Sequence, residues 1–207
     1  MAALVDESGE FFSPALLTGT SSEFMGLRPL PRLLRHRHVI FVLGPPGVGK
    51  TSVACRLAGE ESPRIFDSRE IDTMLLERVR NARWSDELLD SADLVLDGPA
   101  WLRNRSGAIA LLVELAQTRA TAGARTIFCQ ADADGSIEEL FAAVEAGSAV
   151  VIGLRFPNGK RARLRCARRI CDELGFSRDA ALGSDCLDPW RYDRLRAWLV
   201  ERTWSTE

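Results

Sequence analysis

Lysine is almost missing from this chain of 207 residues. Only Lys50 and Lys160 occur, and Arg supplies the rest of the 27 basic residues. Against 29 acids this leaves a formal charge of −2. A near-neutral balance argues against a dedicated nucleic-acid coat protein, though not against a local basic patch. Long apolar runs are absent too. The longest, Val39–Leu43 and Ala149–Leu154, fall far short of the roughly 20 residues that a membrane helix needs, so no membrane partner is expected. Met1–Phe12 is acidic and lacks the basic-then-apolar order of an export signal. Histidine is scarce, with His36 and His38 flanking Arg37. Cysteine is odd in number (Cys55, Cys129, Cys166, Cys171 and Cys186) and forms no CxxC pair. These spacings fit no His/Cys metal site, and reduced thiols in a cytoplasmic protein are the expectation. With 46% apolar residues, a chain this long buries a core without a disulfide or metal staple.

What is present is an alternation. Residues 1–38 read as a poorly periodic lead-in, where Pro29 and Pro31 discourage a helix. Val39–Leu43 is a continuous β-branched and aromatic run, the pattern of a strand covered on both faces. Thr51–Ala58 reads as a helix and Arg64–Phe66 as a second strand. Ser68 is a candidate cap for a helix over about Arg69–Ala82, with Ile71, Met74, Leu75 and Val79 on one face. A short helix over Asp86–Ser91 precedes a third strand, Asp93–Asp97. Helices at Ala108–Ala122 and Ser136–Ala146 flank a fourth strand, Thr126–Cys129; Ala149–Leu154 is the fifth. Strands alternating with helices predict an α/β fold with a five-stranded, mostly parallel sheet and helices on both faces. After Pro157 the strands stop. Arg161–Leu174 and a last helix opened by Asp188–Pro189 predict a small helical lid over residues 157–207, behind an α/β core over 39–156.

The first strand runs into Gly44, Pro45, Pro46, Gly47, Val48, Gly49, Lys50 and Thr51, a complete G-x-x-x-x-G-K-[ST], followed by Ser52. Glycines let backbone N–H groups curl around phosphate oxygens, and the helix that follows adds the positive end of its dipole. Lys50 is placed to reach the β- and γ-phosphates, and the Thr51 hydroxyl to hold Mg²⁺. A chain so biased toward Arg keeps Lys at the position where a phosphate loop uses it. The expected cofactors are therefore ATP or ADP with Mg²⁺, the metal being held by Thr51 and Asp97. Asp97 ends the apolar run Leu94-Val95-Leu96, which is the shape of a Walker B strand, and the carboxyl ends of parallel strands face the ligand. The next residues are Gly98 and Pro99, and no carboxylate follows before Glu114. A water-activating base is thus missing at the position beside Asp97.

In order and spacing this layout resembles the AAA+ ATPases of the DnaA-like, replication-initiator branch, from Val39 onward. The resemblance rests on the phosphate loop, on Phe66-Asp67-Ser68-Arg69-Glu70 opening a helix, and on Ser91 to Asp97. It rests also on the helix carrying Leu111, Leu112, Leu115 and Ala116, and on the helix after the fifth strand. It implies a P-loop NTPase fold, with Lys50 and Thr51 on phosphate and Mg²⁺ and Asp97 as Walker B. It also implies Gln130 as sensor 1, Arg191 as sensor 2 (with Arg194 one turn on), and Gly26 to Arg32 near the adenine. Two departures stand out. The family's arginine finger falls between the fourth and fifth strands, yet Thr126 to Leu154 contains no Lys or Arg. A DNA-binding domain, which the initiators carry after the lid, is not expected in this sequence. Without finger or second acid, slow turnover follows, a finger being worth about 10³–10⁵ in rate in related enzymes.

Three readings remain. The first is a nucleotide-binding regulator that hydrolyses weakly or not at all and presents its surface to a protein partner. The second is a small-molecule or nucleotide kinase, with Asp67 as an acidic base and the Arg161–Arg169 cluster over the phosphates. The third is a DNA-associated ATPase or loader using the basic run Arg161, Arg163, Arg165, Arg168 and Arg169; a solvated helix face that complements acidic helices is the preferred explanation of that run. Trp198 and Leu195 are expected to pack the last helix, and Trp204, Phe11 and Phe12 are candidate partner anchors.

Overall fold

The computed structural model describes residues 4–5, 11–12, 15–19, 34, 37–58, 63–98, 106–130, 144, 149–177 and 195. In chain order the elements are β1 (Leu4–Val5), β2 (Phe11–Phe12), β3 (Ala15–Gly19), β4 (Val39–Leu43), α1 (Lys50–Leu57) and β5 (Arg64–Phe66). Then come α2 (Ser68–Asn81), α3 (Asp86–Asp90), β6 (Asp93–Asp97), α4 (Ser106–Thr121), β7 (Arg125–Gln130), β8 (Ala149–Leu154) and α5 (Gly159–Leu174). The expected helices at 136–146 and after Pro189 lie outside the described residues, apart from buried Val144 and Leu195.

Six strands form one sheet in the order β3-β8-β4-β7-β6-β5, and every pairing in it is parallel. β1 and β2 make a separate antiparallel ribbon. The five expected strands are all there. The sixth, Ala15–Gly19, corrects the reading of the lead-in as lacking elements: it lies along β8 from Ala15↔Val150 to Gly19↔Leu154. A short edge strand made of Ala, Leu, Thr and Gly carries little of the β-branched signature that marks central strands.

Strand alternation divides the core in two. On one face Phe41, Phe66, Leu94, Leu96, Phe128 and Val151 pack with Ile71, Met74 and Leu75 of α2 and with Leu112, Leu115 and Ala116 of α4. Phe41 and Phe128 stack at 5.2 Å. On the other face Ile40, Val42, Val95, Ile127 and Ile152 pack with Val53, Ala54 and Leu57 of α1. Helices therefore cover both faces, which is why the strands read as unbroken apolar runs.

Two local expectations change. The α2 cap is Asp67, not Ser68: Asp67 Oδ1 accepts from the N–H groups of Arg69 (2.8 Å) and Glu70 (3.0 Å), and Glu70 Oε2 accepts from Asp67 N–H (2.8 Å). This is a reciprocal capping box. Val79 does not join the apolar face, being 66% exposed. Arg78 takes the inward position instead, and its Nη2 meets Glu114 Oε1 at 2.8 Å. Trp84 Nε1 donates to the same oxygen at 3.1 Å, with the Arg78 guanidinium 5.6 Å from the Trp84 ring centroid.

At the opposite end of the sheet from Asp97, Arg119 is fully buried and works as a staple. It donates to Thr126 Oγ1 (3.1 Å), Ser91 Oγ (2.9 Å), Ser91 O (2.8 Å), Arg125 O (2.9 Å) and Leu88 O. Burial pulls its pKa down and nearby Asp93 pushes it back up.

Candidate nucleotide site

The parallel register places the ends of β4, β6 and β7 side by side. Leu43 lies opposite Gln130, and Asp97 opposite Cys129. Gly44 leaves the sheet here, its N–H donating to Gln130 O at 3.2 Å. The loop then turns through Gly44, Gly47 and Gly49 at φ of 156°, 76° and 97°. Side chains other than Gly rarely adopt such angles. Gly44 is also closely enclosed: a Cβ there would sit 2.7 Å from Leu154 O and 2.9 Å from Val48 Cγ1. Between the glycines, Val48 N–H donates to Pro45 O at 3.3 Å; Val48 is buried and Pro46 exposed.

Gly49 is the left-handed cap of α1 and supplies no side-chain oxygen to its first amides. The helix start keeps its positive end for an anion. Lys50 folds over the loop, its Nζ donating to Gly44 O at 2.9 Å and Pro45 O at 3.0 Å. Ser52 sits in the first turn, half-buried. One residue earlier, the Thr51 hydroxyl donates to Asp97 Oδ2 at 2.5 Å. The predicted pair of Mg²⁺ ligands is thus in contact, although its residues are 46 apart in sequence. Both offer hard oxygen donors, the set a magnesium ion takes. An enclosed glycine, an ammonium at the loop and a hydroxyl against a carboxylate are groups that suit a nucleoside phosphate with its metal.

Beyond Asp97, Gly98 turns at φ +80°, donates its N–H to Cys129 O at 3.0 Å, and accepts the Ser68 hydroxyl at its carbonyl. The position next to Asp97 therefore holds only backbone. Glu114, the next acid in sequence, is engaged by Arg78 and Trp84. Gln130 ends β7 beside the loop and is 1% exposed. Arg191 lies outside the described residues. Two neighbours of the site were not foreseen: Ser68, which ties α2 to the turn after Asp97, and Cys129. Burial and the Asp97 charge push the Cys129 thiol well up, with Lys50 opposing. No sequence signal singled Cys129 out; the Asp93–Asp97 and Thr126–Cys129 strands, once paired in parallel, would have.

This is the strand–loop–helix of a P-loop nucleotide-binding protein on a fully parallel sheet. No family model and no curated protein matches the sequence. Solved structures do match. Domain III of the Thermotoga maritima replication initiation protein DnaA aligns with a TM-score of 0.55 at 15% identity, over 87% of this chain and 78% of that one. A replication initiator DnaA bound to AMPPCP and single-stranded DNA gives 0.56 at 13%, over 79% and 54%. AMPPCP-bound DnaA from Aquifex aeolicus gives 0.54 at 13%, over 87% and 58%. The chain has a DnaA-like AAA+ fold, and it spans little more than half the length of the two AMPPCP-bound DnaA chains. No helix among the described residues is long and apolar enough to cross a membrane.

Proposed function

We propose that the protein binds ATP or ADP with Mg²⁺, hydrolyses it weakly or not at all, and acts as a regulator through a protein partner. The observation that carries this reading is the contrast on either side of Asp97. Toward α1 the binding half is complete, with Lys50 on the loop and Thr51 on the carboxylate. Toward the hydrolytic half stands Gly98, with no side chain to orient water. The glycine loop and the α1 start hold the phosphates and Lys50 offsets their charge. Thr51 and Asp97 would hold the metal, which would supply further neutralisation of the phosphate charge. Gln130 is the proposed contact to the terminal phosphate, and Arg191 in the lid its proposed counterpart. Nucleotide analogue bound to the DnaA structures supports nucleotide binding by the fold.

The kinase reading loses its base. Asp67 Oδ1 already accepts two amides as the α2 cap, which commits this carboxylate to the start of the helix. The test is calorimetric and kinetic together. Wild type binds ATP and ADP in Mg²⁺ buffer, Lys50→Ala abolishes that binding, and phosphate release stays far below that of an active AAA+ enzyme. Brisk turnover by purified protein, or unchanged affinity in Lys50→Ala, overturns the reading.

A further inference from the structure

Helix α2 turns toward solvent a face that its own packing does not use. Its inward side is Ile71, Met74 and Leu75, with Arg78 directed to Glu114. On the outward side Leu76 is 56% exposed and Val79 is 66% exposed. A single exposed aliphatic side chain is ordinary. These two stand three residues apart, so they meet on one helix face and form one apolar spot. Arginines bracket it. At about 3.6 residues per turn, Arg69 lies two turns before Leu76 and Arg80 one turn after it, on one line along the axis. Both are exposed, as is Arg83 just past the helix. Of the acids of α2, Glu70 reaches back to Asp67 N–H in the capping box. Glu77 lines a cavity on the flank with Met74, Asn81 and Trp84, and Asp72 is half-buried. The exposed face thus has an apolar centre with arginine at both ends.

We infer that this face docks an acidic amphipathic helix of a partner protein. Apolar residues one turn apart on that helix cover Leu76 and Val79, and its carboxylates pair with Arg69 and Arg80. The inference deepens the partner half of the proposed function and rests on that reading. Charge decides the occupant. A second copy of this chain would bring the same arginines to the contact and double the positive charge, which costs where an acidic partner gains. A phosphate backbone would meet the arginines but leave the apolar centre uncovered. Arginine also suits a carboxylate, which its planar fork grips with two hydrogen bonds. The place fits the output of a nucleotide-binding regulator. Helix α2 opens at Ser68, whose hydroxyl donates to the carbonyl of Gly98, the residue after Asp97. A helix seated on α2 is therefore one hydrogen bond from the turn that follows Asp97.

The experiment is a selection from displayed helical peptides of about 18 residues. Two Leu a turn apart are fixed, the flanking positions are open to Glu or Lys, and the target is the full chain without nucleotide. Enriched peptides carry Glu at the flanks. By fluorescence anisotropy wild type binds the best of them, more weakly at about 300 than at about 50 mM salt. Leu76→Asp/Val79→Asp lowers affinity at least about tenfold. Arg69→Ala/Arg80→Ala lowers it several-fold and removes most of the salt dependence. Arg161→Ala/Arg165→Ala, on the exposed face of α5, leaves it within about twofold. ADP affinity, measured alongside, is unchanged in Leu76→Asp/Val79→Asp. Because the selection omits nucleotide, failure of docking leaves ATP or ADP binding at Lys50 untouched, and the reverse holds too. Circular dichroism and unfolding midpoints report whether each variant folds, and Leu76→Ser/Val79→Ser stands in if the Asp pair does not. The proposal is overturned if no Glu-flanked peptide is enriched, if Lys-flanked peptides prevail, if the Leu76→Asp/Val79→Asp protein binds as well as wild type, or if the α5 change costs as much. It is overturned too if sedimentation shows a wild-type dimer that the changes at Leu76 and Val79 dissociate, which would make a second copy the occupant.

Discussion

The Thr51 hydroxyl donates to Asp97 Oδ2 across 2.5 Å, joining the first turn of α1 to the end of β6. A metal ion shared by these two oxygens would replace a bond that the chain already makes with itself. The pair is thus held in place by the parallel sheet before any cation arrives. We expect Asp97→Asn to leave nucleotide affinity without Mg²⁺ unchanged and to remove about 10- to 100-fold of the gain that Mg²⁺ brings. Calorimetric titration of ADP in Mg²⁺ and in EDTA checks this. An Asp97→Asn protein that keeps the full Mg²⁺ gain would show that the carboxylate does not serve the metal.

Gly44 is the position where the phosphate loop can least accept a side chain. Its φ of 156° is joined by contacts at 2.7 Å to Leu154 O and 2.9 Å to Val48 Cγ1 for any added Cβ. The first of these is backbone of a central strand and has little room to move. Gly44→Ala should cost about 1–3 kcal/mol of stability, read from urea unfolding, and lower nucleotide affinity as the loop shifts. Gly107 has open space around it, so Gly107→Ala, on α4, should be neutral or slightly stabilising.

Arg119 holds together parts of the chain that the sheet alone leaves separate. Its guanidinium bridges the end of α3, the turn at Ser91 and the start of β7. Arg119→Met fills the volume but leaves three carbonyls and the Thr126 and Ser91 hydroxyls without this donor, at about 3–5 kcal/mol. Arg119→Lys restores one charge but not the planar fork and should recover only part of the loss. Nucleotide affinity of the folded fraction should change little, since Arg119 lies at the far end of the sheet. Denaturant midpoints alongside ADP titrations separate the two effects.

The central strands were legible because burial on both faces writes itself as β-branched runs. Val39–Leu43, Asp93–Asp97 and Ala149–Leu154 begin and end where the sequence places them. The phosphate loop was legible because its glycines, lysine and threonine are all required. β3 was not, since a short edge strand of small residues is fixed by its pairing with β8 and not by its own composition. Val79 was misplaced because a 3.6-residue period admits either position 78 or 79 after Leu75. Glu114 and Trp84, distant in sequence, decide for Arg78. Ser68 and Asp67 each satisfy the local grammar of a cap. The hydroxyl of Ser68 goes to Gly98 O across the sheet, leaving Asp67 to cap the helix.

Cys129 gives the site a pH signature. The thiol is fully buried on β7, where burial and Asp97 raise its pKa well above the ordinary 9.0 and Lys50 only partly offsets them. The folded chain therefore holds this proton more tightly than the unfolded chain. Stability from the shift is complete below about pH 9 and is lost as pH climbs from there toward the folded value, at up to about 1.4 kcal/mol per pH unit. Urea midpoints measured from neutral to alkaline pH should fall more steeply in wild type than in Cys129→Ala, with the two curves parallel below pH 9. A thiol reagent offers a second readout. Half-buried Cys55 should react in the folded protein and Cys129 only on unfolding. Parallel pH curves throughout, or rapid labelling of Cys129 in the folded state, would contradict a protonated thiol beside Asp97.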